Sequence, residues 1–254
     1  MRRAATAAAV TAAATALALA GCAGGGTSAG EDEALTVLAA ASLTESFDAL
    51  ATVFEDDHPG VRVVLGYDSS ATLAAQVADG APGDVLATAD TRTMQVALDA
   101  GAVSDPVDVA TNRLVLVVPA DNPAGVQGIA DLDDPAVDYV VCAESAPCGA
   151  LARRLLDSEG IEAPARSLEV DVKAVLGKVV LDEADAGLVY TTDARAAGDR
   201  VETLAVPGAE DLLTRYPAAV LTESSHPRLA QEWLDLLASE RGRRVLAEAG
   251  FGPP

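Results

Sequence analysis

The run Leu35-Thr36-Val37-Leu38-Ala39-Ala40-Ala41-Ser42-Leu43-Thr44-Glu45-Ser46-Phe47 is the most constraining stretch of this chain. An apolar segment of strand length passes without a linker into a helix-starting pattern, with Ser42 and Glu45 at the Ser-x-x-Glu spacing of a capping box. The same transition recurs. Val61 to Leu65 leads into Tyr67-Asp68-Ser69-Ser70-Ala71-Thr72 and a short helix. Tyr139 to Ala143 leads through Glu144-Ser145-Ala146-Pro147-Cys148-Gly149 into a helix from Ala150 to Ser158. An extended piece closed by Val170 leads into a helix with Asp171 as its N-cap and Val172, Val175, Leu176, Val179 and Val180 on one face. Strands alternating with helices in this way call for a mainly parallel sheet covered by crossover helices, so the fold class is α/β.

The remaining elements follow from periodicity and turn chemistry. Phe47, Leu50, Ala51 and Phe54 form one helical face that ends before His58-Pro59-Gly60. Asp84 to Ala89 reads as a buried strand, Thr91 to Ala100 as a helix stopped by Gly101, and Asn112 to Pro119 as one strongly apolar strand. Asp185 to Tyr190 is a strand that delivers Tyr190 to its C-terminal end, and Val201 to Val206 is another. Tyr216 to Leu221 is extended, followed by helices over Pro227 to Ala238 and Glu240 to Ala249. Those last helices need a sheet to cover. If that sheet is the first one, the chain crosses between lobes near residue 113 and again near 215.

The chain carries a formal charge of −22 over 254 residues, which excludes a nucleic-acid partner, since phosphates would be repelled. The same charge means that any anion site must work through local, preorganised donors. Residues 1–21 read as a signal segment: Arg2 and Arg3 precede a small-residue apolar stretch, and Leu19-Ala20-Gly21-Cys22 is similar to the lipobox of bacterial lipoproteins. That resemblance implies cleavage before Cys22 and lipidation of its thiol, leaving a protein anchored to the cell membrane. Residues 22–33, rich in glycine, read as a flexible tether. Cys142 and Cys148, six residues apart in an exported chain, point to a small disulfide loop, while the spacing does not match a Cys-x-x-Cys redox pair. The two histidines, His58 and His226, each precede a proline and read as turn residues, so no metal-cation site is expected.

Ligands of open parallel sheets lie beyond the carboxyl ends of the strands. The junctions at Ser42, Ser70, Cys148 and Val172, together with Tyr190, come from both halves of the chain and offer hydroxyl, phenol and backbone N–H donors. Helix N-termini present unpaired N–H groups and the positive end of the dipole, which suits an anion. Each residue also has a plainer reading: Ser42 and Ser70 as helix caps, Tyr190 as a half-buried tyrosine, and Val172 as core.

The ordered set Ala40-Ala41-Ser42-Leu43, Ser69-Ser70-Ala71-Thr72-Leu73, Gly80-Ala81-Pro82-Gly83-Asp84-Val85, Asn112 to Pro119, Asp185 to Tyr190 and Tyr216-Pro217-Ala218-Ala219-Val220 resembles the periplasmic molybdate-binding proteins, the substrate-binding components of molybdate ABC transporters. The resemblance runs from Leu35 to Phe251. It implies a two-lobed type II periplasmic-binding fold with the ligand in the interlobe cleft. Lobe 1 would be residues 34–113 plus 215–254, and lobe 2 residues 114–214. It further implies that Ser42 and Ser70 supply hydroxyl and backbone donors, Cys148 and Val172 backbone N–H groups, and Tyr190 its phenol. Cys148 stands where the family usually has alanine, a change that a backbone donor tolerates. Ala71 replaces a frequent glycine or serine.

The function expected on this basis is a receptor for molybdate, and with it tungstate, that serves an ABC permease as a monomer without a cofactor and without catalysis. Three other readings compete: a receptor for sulfate or another tetrahedral oxyanion, an exported thiol enzyme using Cys148, and a structural lipoprotein. The thiol enzyme lacks a histidine near either cysteine and lacks any Ser–His–Asp pattern.

Overall fold

The computed structural model describes residues 33–254. The signal segment, Cys22 and all but the last residue of the tether lie outside these residues. Strands β1 (Glu33–Ala40), β2 (Val61–Asp68), β3 (Val85–Ala87), β4 (Val107–Asn112) and β10 (Thr214–Val220) form one five-stranded sheet in the order β2-β1-β3-β10-β4. Strands β5 (Leu114–Pro119), β6 (Tyr139–Cys142), β7 (Ser167–Glu169), β8 (Ala186–Tyr190) and β9 (Val201–Leu204) form a second, ordered β7-β6-β8-β5-β9. Helices α1 (Thr44–Asp57), α2 (Ser70–Ala78), α3 (Thr91–Asp99), α7 (Pro227–Ala238) and α8 (Glu240–Ala249) accompany the strands of the first sheet in sequence. Helices α4 (Pro147–Glu159), α5 (Val172–Val180) and α6 (Thr191–Ala197) accompany those of the second.

Both sheets are mixed, not purely parallel. In the first, β1 pairs in parallel with β2 and β3, but β10 is antiparallel to β3 and β4. In the second, β6 is parallel to β7 and β8, whereas β5 is antiparallel to β8 and β9. The apolar stretch read as one strand over Asn112 to Pro119 is two strands in different sheets, divided at Arg113. The Asn112 side-chain oxygen accepts from the Arg113 N–H at 2.9 Å, and the Arg113 carbonyl accepts from the Thr191 N–H at 3.0 Å. These two bonds take the place of ladder partners where the chain leaves one sheet for the other.

The capping box at Ser42 does not form. Residues Ala41–Leu43 make a 3₁₀ turn, α1 starts only at Thr44, and no side chain caps it. Ser42 is instead buried, with its hydroxyl committed to a distant partner. Helix α4 starts at Pro147, three residues earlier than the pattern indicates, because proline fits the first helical position and the tight packing of Gly149 carries the turn. A Cβ at Gly149 would overlap the Ala143 carbonyl.

The core is mainly aliphatic, with one buried aromatic cluster of Tyr190, Tyr216 and Phe251 and another where α7 meets α1. The Trp233 ring stands edge-on to Phe47 at 5.5 Å and to Phe54 at 5.6 Å, and Trp233 is fully buried. Edge-to-face pairs of this kind add about 1 kcal/mol each beyond their buried area, and these pin the C-terminal helices to α1.

Candidate functional site

Ser42, Ser70, Cys148, Val172 and Tyr190 line one small cavity. All five are buried, and they come from both sheets' connections. The cavity measures about 20 Å³, enough for one compact polyatomic group once the ~1.4 Å radius of a water-sized probe is added on every side.

Three helix N-termini meet there. The first-turn N–H groups of Ser70 in α2, Cys148 in α4 and Val172 in α5 have no acceptor within their own helices. Asp171 caps α5 by accepting from the Ala174 N–H at 2.9 Å, which leaves the Val172 N–H unspent. The Ser70 hydroxyl oxygen accepts from the Ala89 N–H at 2.9 Å, so its own proton remains to be donated. Two carboxylates in the wall, Asp68 and Asp171, are occupied by backbone donors; Asp68 accepts from the Ser69 N–H at 2.6 Å.

The Tyr190 phenol is buried with the Tyr216 ring edge-on beside it at 6.0 Å, and it makes no hydrogen bond of ordinary geometry among the described residues. Burial pushes its pKa well above the usual tyrosine value, so it stays a neutral donor. A buried hydroxyl facing first-turn amides and a free serine proton makes a donor-rich chamber with no cation in its wall. Such a chamber suits an acceptor-only ligand, and Coulomb and hydrogen-bond terms strengthen once water is excluded.

Sequence reasoning missed the layer behind these donors. Tyr216 is fully buried, and its hydroxyl oxygen lies 2.8 Å from Ser42 Oγ. The Asn112 amide nitrogen donates to Thr192 Oγ1 at 3.0 Å and to Tyr216 Oη at 3.5 Å. Because Asn112 Oδ1 accepts from the Arg113 N–H, the amide's orientation is set. Tyr216 therefore accepts a hydrogen bond from Asn112, can donate its own to Ser42 Oγ, and so leaves the Ser42 proton for the cavity. The Tyr216-Pro217-Ala218 motif was the available signal, but it marks a strand and not the residue the tyrosine reaches.

A second missed group lies beside Val172. Lys173 Nζ is 2.7 Å from Glu45 Oε1 on α1 and 3.1 Å from Asp193 Oδ1 on α6. Asp193 is fully buried, and burial, only partly offset by Lys173, raises its pKa to about 6. Burial lowers the Lys173 pKa, but Asp193 and Glu45 outweigh that effect and the net shift is upward. The ammonium is thus matched by two carboxylates.

Cys142 and Cys148 are joined in a disulfide. This removes the thiolate that a thiol enzyme would need and ties the first turn of α4 to the end of β6. Among the described residues there is no cluster of three or more His, Cys, Asp and Glu suited to a metal ion, and no helix is long and apolar enough to cross a membrane.

A family model for bacterial extracellular solute-binding proteins matches residues 35–252. The molybdate-binding protein ModA of Mycobacterium tuberculosis (strain H37Rv) is 39% identical over 221 residues, spanning 87% of this chain and 85% of the relative. ModA of Escherichia coli K12 is 30% identical over 252 residues, spanning 89% and 91%. Among solved structures, the periplasmic molybdate-binding protein of Azotobacter vinelandii has a TM-score of 0.73 at 18% identity, covering 87% of this chain and 99% of that one. The sulfate-binding protein SubI of M. tuberculosis has a TM-score of 0.76 at 20% identity, covering 87% of each. These two structural likenesses speak to the two-lobed fold alone.

Proposed function

We propose, from the premise that this chain belongs to the family of bacterial extracellular solute-binding proteins, that it is a molybdate receptor of an ABC transporter. The family places its work outside the cytoplasm and makes it a binding protein, not an enzyme. Tungstate, with the same charge and nearly the same size, is a second ligand of the same chamber. Ser42, Ser70 and Tyr190 act as side-chain donors, and Cys148 and Val172 donate through their backbone N–H groups.

The observation that carries this reading is the unpartnered, buried Tyr190 phenol in a cavity shared with three helix N-termini. Neutral dipoles hold a dianion there without a buried cation. Both ModA relatives described above are molybdate-binding proteins by name, which favours molybdate over sulfate. Sheet membership supports a division into lobe 1, residues 34–113 plus 215–254, and lobe 2, residues 114–214. Closing two such lobes desolvates the ligand, and the ligand favours closure only through its higher affinity for the closed state. The Leu-Ala-Gly-Cys sequence supports anchoring through lipidated Cys22, and the protein acts as a monomer.

The test is a thermal melt of the fragment from residue 31 with molybdate, tungstate, sulfate or phosphate under identical salt. A ligand at 100 times its Kd stabilises by about 2.7 kcal/mol. Shifts with molybdate and tungstate but not sulfate support the reading. A shift with sulfate alone transfers the site to sulfate, and no shift with any oxyanion removes the assignment of the cleft. Tyr190→Phe should reduce the molybdate shift while leaving the ligand-free midpoint nearly unchanged.

A further inference from the structure

An acidic chain that binds a dianion has a kinetic problem: at −22 its overall field opposes the ligand's approach. A second cavity, of about 330 Å³, answers this locally. It opens between the start of α3, the start of β10 and the first turns of α4, and shares Pro147 with the donor chamber. Its wall holds Arg92, Arg154 and Arg215 against a single carboxylate, Asp90. Three of the chain's 17 Lys and Arg residues thus face one hollow beside the site.

The three differ in how free they are. Arg92 lies 3.4 Å from Asp90 and donates to the Ser145 carbonyl at 2.9 Å, so it is partly engaged across the cleft. Arg215 pairs with Asp108 at 2.8 Å. Arg154 is exposed and has no ion-pair partner among the described residues. The hollow adjoins the chamber through more than Pro147: Thr214 in its wall donates to the carbonyl of Ala89, a residue of the chamber wall.

We propose that this hollow is a capture vestibule, an outer anion-docking subsite in which Arg154 and Arg215, with Arg92, hold a hydrated oxyanion before it passes to the neutral donors within. The proposal rests on the oxyanion-receptor reading of the inner chamber. Guanidinium groups present a planar fork of donors that fits an oxyanion. A concave, locally positive cavity raises the ligand's concentration at the cleft even where the distant field is negative. The division of labour follows: arginines govern arrival, and uncharged donors govern retention.

The experiment is stopped-flow binding of molybdate, read by intrinsic tyrosine and tryptophan emission, with calorimetric Kd values on the same proteins. Arg154→Gln should slow association roughly threefold and Arg154→Glu roughly tenfold at low ionic strength, since steering scales with charge. The Arg154→Gln/Arg215→Gln pair should slow it further, with dissociation unchanged within about twofold. The differences should close near 1 M salt, where the Debye length is about 3 Å. On-rates that do not grade with charge, or differences that persist at high salt, overturn the vestibule while leaving the receptor intact. Failure of the unaltered protein to bind molybdate overturns the receptor reading and the vestibule with it.

Discussion

The Ser42 hydroxyl lies 2.8 Å from the phenol oxygen of Tyr216, a residue 174 positions further along the chain. Tyr216 also takes a long hydrogen bond from Asn112, so the phenol is supplied with a donor from behind and has its own proton for Ser42. Tyr216 is therefore a positioning residue for a donor of the chamber. Tyr216→Phe should lose about 1 kcal/mol of binding, a rise in molybdate Kd of roughly fivefold. Calorimetry checks this, and an unchanged Kd would show that Ser42 needs no such support.

Lys173 joins α1 to α6 through Glu45 and Asp193, and among the described residues its pair with Glu45 is the one ion pair between elements of the two sheets. Glu45 is half exposed, so Glu45→Gln should weaken binding by only about 0.5 kcal/mol. Lys173→Met leaves the Asp193 carboxylate buried without its partner and should destabilise the fold by roughly 3–5 kcal/mol. Adding Asp193→Asn to Lys173→Met should recover much of that loss. Denaturant titrations of the unaltered protein, Lys173→Met, Asp193→Asn and the double variant decide it, and a strictly additive result would show the two residues to be uncoupled.

Asp193 also sets a pH dependence. Its native pKa, raised to about 6 chiefly by burial, lies above the value of about 3.9 expected of an unfolded chain. Between these values the native state holds more protons than the unfolded state. The stability contributed by this group is full below about pH 4 and is lost as pH rises through about 6. Relative to Asp193→Asn, the unaltered protein should lose stability from pH 4 to pH 7 and run parallel to it above. Urea unfolding across that range measures the difference, and two parallel curves throughout would remove Asp193 as the cause.

The Cys142–Cys148 bridge closes a short loop at the start of α4. Replacing both cysteines by alanine should cost about 2 kcal/mol of stability. Because Cys148 offers the chamber a backbone N–H and not its sulfur, molybdate affinity should stay within a few-fold. Loss of all binding in the double variant, with the fold retained, would mean that the bridge itself shapes the site.

The lining of the chamber is legible in the sequence. Ser42, Ser70, Cys148 and Val172 fall at strand-to-helix junctions and Tyr190 at the end of a strand, and all five line one chamber. Proline at the start of α4, the aspartate cap of α5 and the apolar faces of α1 and α7 are local signals, and local hydrogen bonding and periodicity decide such features. The Ser42 capping box failed for the complementary reason. Ser42-x-x-Glu45 satisfies the local pattern, but Tyr216 offers the hydroxyl a buried partner, and Glu45 finds Lys173.

The amino-acid sequence by itself determined the α/β alternation, the apolar helix faces, the Asp171 cap and the donor types at each junction, because these depend on neighbours within a few residues. Only the tertiary structure decided the break between β4 and β5 at Arg113, the antiparallel insertion of β10 between β3 and β4, the Asn112–Tyr216–Ser42 chain and the burial of Asp193 beside Lys173. Each of these joins residues far apart in the chain. Their partners are set by which sheet a strand enters and by which polar groups burial then compels to pair.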